Sequence, residues 1–435
     1  MTYRARPGIG SDLTVETDSL LAPLRATKQA ALTYLHAGDS LFVWMLTPDG
    51  TVTLTRTPLA ASELAMLIRS ARRTFGTDDA RSAELAPDDF KATSKADSVA
   101  LASRNAADDL RRLAALLLPD DLDSRVLAGT PIVIVPHGAI GLVSFAALER
   151  KRSDSTTTCT TRPTKPSRAV VTAAATESET LGLRNPLRFA PSFAALRATE
   201  ARTVVLAPRS ATSTTMRHRQ LATALVGGNP TMPMIYSGRW TTRAQLRSLP
   251  GAAAEGRRIA TQLGASMLTG RAATETVIRA RLTTAPIVHF ATHGMAYGTS
   301  SASRRSYVAF APDKTNDGLL TLGELMDDAT LVLHTELVVL SACQTGLGDF
   351  KQADGTIGLQ RAFLAKGACS VLVSLWNVDD AATRLLMEHF YRYWLDQKTM
   401  RSKAESLRLA QRDVRATPRF AHPKFWAGFQ LVGAN

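Results

Sequence analysis

The 435-residue chain has 45% apolar residues and a formal net charge of +14. This length allows two or three hydrophobic cores, and the composition is ordinary for a globular protein. No apolar run reaches the ~20 residues that cross a bilayer, and the N-terminus lacks the hydrophobic segment of a secretory signal. Three cysteines are too few for a disulfide framework, so we expect a cytoplasmic protein with no membrane partner.

The basic residues do not by themselves indicate a nucleic-acid site. Six Lys or Arg against one acid fall between residues 150 and 170, in a stretch that is not expected to pack. The other arginines are spread along predicted helices, without the interleaved aromatic residues of a binding stripe. This pattern favours a solvated surface over a nucleic-acid site, and a nucleic-acid-associated protein is the weakest of the alternatives.

The N-terminal third is predicted to combine helices with a hairpin around the Pro48-Asp49-Gly50 turn. Apolar residues at helical spacing predict helices over residues 20–35, 60–73 and 98–118. Predicted strands cover residues 41–46, 51–55 and 131–136. The last of these strands leads into His137-Gly138 and an apolar turn over residues 142–148.

Two Ser/Thr-rich basic segments, 151–168 and 209–219, are predicted to be flexible linkers open to proteolytic nicking. The first is predicted to separate an N-terminal α/β region, residues 1–168, from a second domain, residues 169–435. Beyond the second linker, strands and helices alternate. The predicted strands are 221–226, 287–292, 337–342 and 369–375, and the predicted helices are 250–263, 274–282, 355–365, 381–396 and 402–414. This order predicts βαβ crossovers and a mostly parallel sheet covered on both faces.

Two of these strands lead into reactive side chains. The run IVHFAT (287–292) is followed by His293-Gly294, and the run LVVLSA (337–342) is followed by Cys343. In open α/β sheets, chemistry collects at the carboxyl ends of the strands. Adjacent strands would hold the imidazole and the thiol together, which is the arrangement of a cysteine protease.

Cys343 can attack a carbonyl only as a thiolate, which needs a lowered pKa or a base within reach. His293 would accept the thiol proton and then protonate the leaving amine. The glycine-rich segment QTGLG (344–348) would let a substrate backbone approach closely. A small buried cysteine and a structural histidine remain the alternative, although Gly294 leaves one face of the ring open.

Other site chemistries fit the sequence less well. His289, His293, His334 and Cys343 are zinc-type ligands, but their spacings match no paired-ligand pattern. No phosphate-binding loop, dinucleotide fingerprint or Gly-x-Ser-x-Gly elbow is present in the sequence. We therefore expect neither a metal nor a cofactor.

Two carboxylates, Asp379 and Asp380, follow Trp376 at the tip of the predicted 369–375 strand. A carboxylate there could bind a basic side chain before the scissile bond, with Trp376 as a flat wall. The alternative is that Asp380 caps the helix that begins near residue 381.

At these residues the chain resembles the CHAT family, caspase-like cysteine peptidases of the clan that holds caspases, separases and gingipains. The motifs that carry the resemblance are HFATHG (289–294), LSACQTG (340–346), GLQRAFL (358–364), SLWNVDD (374–380) and HPKFWAGF (422–429). The resemblance extends toward the early hairpin and covers nearly the whole chain. This chain has His137-Gly138 and Asp354-Gly355 where many members have Asp-Gly and Glu-Gly.

The resemblance implies a caspase-like α/β/α sandwich preceded by a pseudo-caspase-like α/β region. It implies His293 and Cys343 as the catalytic dyad, with the backbone amides of Gly294 and Cys343 as oxyanion donors. We therefore predict a cysteine endopeptidase. Separately from the resemblance, the carboxylate of Asp379 or Asp380 predicts a preference for a basic residue before the cut. A scaffold or regulatory module with a silent dyad is the competing interpretation.

The resemblance also suggests a physiological setting. Relatives look like bacterial defence or cell-death effectors that cut partners such as gasdermin-like pore formers. Family members often carry tetratricopeptide repeats that sense a partner, and this sequence shows none. We therefore expect an activating partner or ligand that this chain does not encode.

Overall fold

The computed structural model describes residues 24–76, 101, 103–149, 180–206, 219–237, 242–296, 303–341 and 358–435. The strands are β1 (Ala30–Ala37), β2 (Ser40–Leu46), β3 (Val52–Pro58), β4 (Ile132–Val135), β5 (Leu187–Phe189), β6 (Leu225–Pro230), β7 (Met234–Ser237), β8 (Thr242–Gln245), β9 (Met267–Gly270), β10 (Ile287–Ala291), β11 (Gly294–Met295), β12 (Tyr307–Ala309), β13 (Leu319–Thr321), β14 (Leu337–Ser341), β15 (Ser370–Ser374) and β16 (Phe429–Gly433). The helices are α1 (Ala61–Arg73), α2 (Ala106–Leu117), α3 (Leu122–Arg125), α4 (Leu181–Arg184), α5 (Phe193–Leu206), α6 (Pro250–Leu263), α7 (Glu275–Leu282), α8 (Leu322–Asp327), α9 (Leu359–Ala365), α10 (Asp380–Trp394) and α11 (Lys403–Ala416).

Within the described residues, one eleven-stranded sheet has the order β3-β2-β1-β4-β5-β16-β15-β14-β10-β6-β9. Strands β1, β4, β5 and β16 run parallel to one another, and so do β15, β14, β10, β6 and β9. The two groups run in opposite directions because β16 is antiparallel to β15. This mostly parallel sheet confirms the predicted α/β fold class.

The opposed directions decide which strand ends share an edge. The carboxyl ends of β10 and β14 lie at one edge, and that of β4 lies at the other. His137, which follows β4, therefore lies on the edge opposite His293, although both precede a glycine. Its Nδ1 accepts a hydrogen bond from the His36 amide at 3.4 Å. We interpret His137 as a turn residue.

The sheet is covered by helices because its central strands are apolar on both faces. Every residue of β10 is buried, as are the first four of β14. Runs of this kind are typical of parallel strands packed between two helical layers. On one side, α6 and α10 pack together, and their residues Ile259, Leu263, Leu386 and Phe390 belong to the buried core. No helix in the described ranges is both long and apolar enough to cross a membrane.

Some local predictions are wrong. Residues 30–35 of the segment predicted as a helix over residues 20–35 belong to β1, which pairs with both β2 and β4. Hydrogen bonding to two neighbouring strands outweighs the strong intrinsic helical preference of its alanines, because tertiary contacts override local propensity. The strand predicted over residues 221–226 begins only at Leu225. The apolar turn predicted over residues 142–148 includes the 3₁₀ helix Phe145–Ala147.

Both predicted regions contribute strands to the same large sheet. Strands β1 to β4 come from residues 1–168, and the others come from residues 169–435. The division between these regions stays a prediction, because the segment 151–168 lies outside the described residues. The second predicted linker, 209–219, lies outside them except for residue 219.

Candidate active site

The parallel neighbours β10 and β14 end side by side at one edge of the sheet. Ala291, the last residue of β10, pairs with Ser341, the last residue of β14. His293 follows its strand end by two residues, and Cys343 follows the other strand end by the same number. The structure places His293 at this edge, whereas Cys343 lies outside the described residues.

The imidazole of His293 is oriented by the chain that precedes α6. Its Nε2 lies 2.8 Å from the carbonyl oxygen of Arg247. A carbonyl oxygen only accepts, so Nε2 carries the proton and donates it. In the neutral ring this leaves Nδ1 as the basic nitrogen.

The backbone around His293 is held by the neighbouring strand β12. The amide of Ala309 donates to the His293 carbonyl at 2.9 Å. The buried Thr292 hydroxyl donates to the Ala309 carbonyl, also at 2.9 Å. Gly294 begins β11 and pairs with Val308 of β12. The use of the Gly294 amide as an oxyanion donor stays a proposal.

A pocket of about 230 Å³ opens beside His293. Its lining includes His293, Glu255, Ser341, Trp376, Asp380 and Thr383. The hydroxyls of Ser341 and Thr383 are buried, and neither has a hydrogen-bond partner among the described residues. Unpaired buried hydroxyls are costly, so a polar ligand in this pocket would gain by bonding them.

Trp376 contributes a rigid wall to the pocket. The indole is buried and stacks on Phe75, with the ring centroids 4.5 Å apart and an interplanar angle of 6°. Its Nε1 donates to the Lys424 carbonyl at 2.9 Å. Arg72, near Phe75, donates to the Leu375 carbonyl at 3.0 Å, and burial lowers its pKa to about 10. The N-terminal part of the chain therefore supports this wall.

The two predicted substrate carboxylates have different environments. Asp379 is the N-cap of α10, and its Oδ1 accepts from the amides of Ala381 and Ala382 at 3.0 and 3.1 Å. The alternative that Asp380 caps this helix is therefore wrong, because its neighbour does so. Asp380 begins the helix instead and lines the pocket.

The Asp380 carboxyl is partly desolvated although the residue is exposed at the pocket rim. Gly251 of α6 packs directly against it. This desolvation is the main reason that the pKa of Asp380 is raised, and the negative charges of Asp379 and Glu255 raise it further. A positive charge on the His293 imidazole would lower the pKa of Asp380.

A buried polar network lies behind the pocket and was not anticipated from the sequence. His289 is fully buried, and its Nε2 lies 3.0 Å from Glu255 Oε1. Its Nδ1 lies 3.3 Å from the Tyr391 hydroxyl. A proton on Nε2 satisfies both contacts, because Nε2 then donates to Glu255 and Nδ1 accepts from Tyr391. The network links β10 to α6 and α10, the helices that border the pocket.

The position of a histidine within an apolar predicted strand could have suggested that such a network exists. His289 lies in the middle of an apolar strand, where a polar side chain needs a partner. The partners are 34 and 102 residues away along the chain, so the sequence did not indicate which they are.

The fold is similar to that of known solved proteins. The Saccharomyces cerevisiae separase–securin complex matches with a TM-score of 0.51 and 10% identity, over 96% of this chain and 30% of the other. Gingipain R, an Arg-specific cysteine proteinase, matches with a TM-score of 0.43 and 7% identity, over 75% of this chain and 67% of the other. The separase match supports a caspase-like α/β architecture.

The CHAT domain family model matches residues 107–434, so the chain belongs to the CHAT domain family. Two curated relatives are tetratricopeptide repeat protein 28 from Mus musculus and from Homo sapiens. The mouse protein is 33% identical over 260 residues, which cover 52% of this chain and 10% of the relative. The human protein is 32% identical over 244 residues, which cover 49% of this chain and 9% of the relative. The matched segments thus represent about a tenth of these longer proteins.

Proposed function

We propose that this chain is a cysteine endopeptidase with Cys343 as nucleophile and His293 as general acid and base. The observation that supports this most directly is the register of β10 and β14. Ala291 and Ser341 are paired neighbours, and each proposed catalytic residue follows two positions later. Equal offsets from paired strand ends favour the two side chains meeting at the pocket.

In the proposed reaction, Nδ1 of His293 takes the proton of the Cys343 thiol. The thiolate sulfur then bonds to the carbonyl carbon, and the backbone amides of Gly294 and Cys343 stabilise the oxyanion that forms. The carbon–nitrogen bond breaks as the imidazolium protonates the leaving amine. Water, deprotonated by the same imidazole, hydrolyses the thioester and restores the thiol. Arg247 keeps the ring oriented through its carbonyl.

We assign the preference for a basic side chain to Asp380. Its carboxyl lines the pocket and makes no ion pair with a Lys or Arg of the described residues. A partly desolvated carboxylate with no Lys or Arg partner in the described part of the chain would gain from a guanidinium or ammonium group. Asp379 is engaged by two helix amides, and Trp376 would supply the apolar wall.

Gly251→Ala is expected to weaken this preference without touching the dyad. A methyl group there would overlap the Asp380 carboxylate and lie 2.7 Å from its Cβ, so the side chain would have to move. We expect kcat/KM for basic peptides, relative to kcat/KM for neutral peptides, to fall roughly tenfold, which corresponds to about 1.4 kcal/mol. Gly256→Ala on the same helix is the control, because its methyl would meet the mobile end of Met267 at 3.0 Å. An unchanged ratio in Gly251→Ala would contradict the assignment of the basic preference to the Asp380 carboxyl.

The setting of this activity is inherited from the family resemblance. It would be a cytoplasmic defence or cell-death effector that cuts a protein partner, such as a gasdermin-like pore former. An activating partner or ligand would switch it on. Trapping an uncut partner with the Cys343→Ala form tests this part of the proposal.

The proposed activity is tested by labelling with an arginyl peptide that carries a thiol-reactive group. We expect the label on Cys343 at a rate far above that on Cys159. Cys369 serves as an internal control, because it is buried and burial raises the pKa of its thiol. If Cys343 reacted no faster than Cys159 in the folded protein, a silent scaffold would be the better interpretation.

A further inference from the structure

The end of β6 carries an asparagine in an unusual backbone conformation beside the candidate site. β6 is the neighbour of β10, and Gly228 pairs with Ala291. Asn229 follows directly, with a φ of 44°, where the pairing of β6 with β9 shifts in register. Non-glycine residues in the left-handed region are uncommon, although asparagine tolerates it better than most.

The Asn229 side chain binds the segment that precedes α6. Its Oδ1 accepts from the Leu249 amide at 2.7 Å and from the Ser248 hydroxyl at 3.1 Å. Its own carbonyl accepts from the Thr269 hydroxyl at 3.2 Å. Pro250 then begins the helix. One asparagine thus fixes the chain just ahead of α6 on the end of the sheet.

That segment supplies the acceptor for the His293 imidazole. The Arg247 carbonyl, which accepts from Nε2 at 2.8 Å, lies one residue before Ser248 and two before Leu249. We propose that Asn229 is a positioning residue for His293 and acts through the Arg247 carbonyl. The inference rests on the proposed peptidase function for its consequence in catalysis, but the geometry it describes stands independently.

The physical effect is on the proton of the ring. A fixed carbonyl opposite Nε2 holds the proton there and keeps Nδ1 basic and correctly aimed. Without Oδ1 the loop at 247–249 would lose two bonds, and the carbonyl could move away from the ring. The ring could then turn or carry its proton on the wrong nitrogen.

The left-handed backbone conformation at residue 229 does not by itself require asparagine. Glycine adopts the left-handed region at no steric cost, so it would meet the backbone demand at this position. Only the side-chain oxygen explains the contacts to Ser248 and Leu249. Asn229→Gly therefore removes the acceptor while keeping the backbone conformation, and Asn229→Asp keeps an oxygen acceptor.

The experiment compares these two variants in the full chain. With a peptide that the wild type cleaves through Cys343, Asn229→Gly is expected to lower kcat by roughly 10- to 100-fold, with KM unchanged. Asn229→Asp is expected to recover most of kcat. Met400→Gly is the matched control, because Met400 has a φ of 46° and follows the far end of α10.

A second readout does not depend on peptidase activity. Nitrogen-15 NMR of the imidazole, assigned with His293→Gln, is expected to report the Nε2–H tautomer in the wild type and a mixture in Asn229→Gly. Full kcat and an unchanged tautomer in a folded Asn229→Gly would overturn the inference, as would equal losses in both Asn229 variants. If the wild type cleaved no peptide, but the tautomer still differed between the wild type and Asn229→Gly, the result would count against the proposed function alone.

Discussion

Cys343→Ala is expected to abolish peptide cleavage while the protein stays folded. Alanine has no sulfur, so no thioester can form, and only binding and any oxyanion contacts would remain. Removing a nucleophile of this kind lowers turnover on the order of 10⁴-fold or more. The measurement is kcat/KM with fluorogenic peptides, together with thermal unfolding to establish that the variant keeps its fold.

The matched control for this prediction is Cys159→Ala, which removes a thiol from the predicted 151–168 linker. We expect its kcat/KM to equal that of the wild type. Cleavage retained by Cys343→Ala would contradict the proposed mechanism at its centre. A loss of equal size in Cys159→Ala would show that the readout does not report on the proposed nucleophile.

Asp380→Asn is expected to remove the preference for a basic residue before the cut. The amide cannot form an ion pair, and a hydrogen bond to a charged group contributes about 1.5–3 kcal/mol. The kcat/KM ratio of arginyl or lysyl peptides to a matched leucyl peptide should fall roughly 10- to 100-fold. Cleavage of the leucyl peptide should change little, because the dyad is not altered.

Asp379→Asn is the neighbouring control for this substitution. Asparagine caps helices about as well as aspartate, so α10 should keep its first turn. The same charge is removed one residue away, but the preference for basic peptides is expected to persist. Should Asp379→Asn lose the preference and Asp380→Asn keep it, the assignment of the two carboxylates would be reversed.

The pH dependence of the preference follows from the Asp380 carboxyl. Its pKa is raised from the ordinary value of 3.8 by desolvation and by the nearby acids. The carboxylate is therefore charged at high pH and is neutralised on acidification at a higher pH than an ordinary aspartate. The ratio of basic to neutral cleavage should fall as the pH decreases toward this raised value. A ratio of basic to neutral cleavage that rose on acidification would contradict the predicted direction of this pH dependence.

The local signals in the sequence were sufficient for the class of fold and for the position of His293. The apolar β-branched runs before His293 and Cys343 predict buried strands, and both strands form as β10 and β14. The regular alternation with helices predicts a mostly parallel sheet, which the structure confirms. These features depend on residues that are close together in the chain. The family motifs and the CHAT domain match agree with them.

Pairing in space overrode the local pattern in other places. The alanine-rich segment predicted as helix became β1 because two strands were available to bond it. Which of Asp379 and Asp380 caps α10 depended on the residue at which the helix begins, and adjacent aspartates do not reveal this in the sequence. The opposed directions of the two strand groups separate His137 from His293, although each follows a strand and precedes a glycine.

The sequence by itself determined strands β10 and β14, the reactive residues that follow them and the family, because these follow from local composition and short motifs. Only the tertiary structure decided which distant groups support His293 and the pocket. Asn229, the Arg247 carbonyl and Glu255 come from different segments, and the crossover connections bring them to one edge of the sheet. Their contacts are hydrogen bonds between segments, which spacing along the chain does not encode.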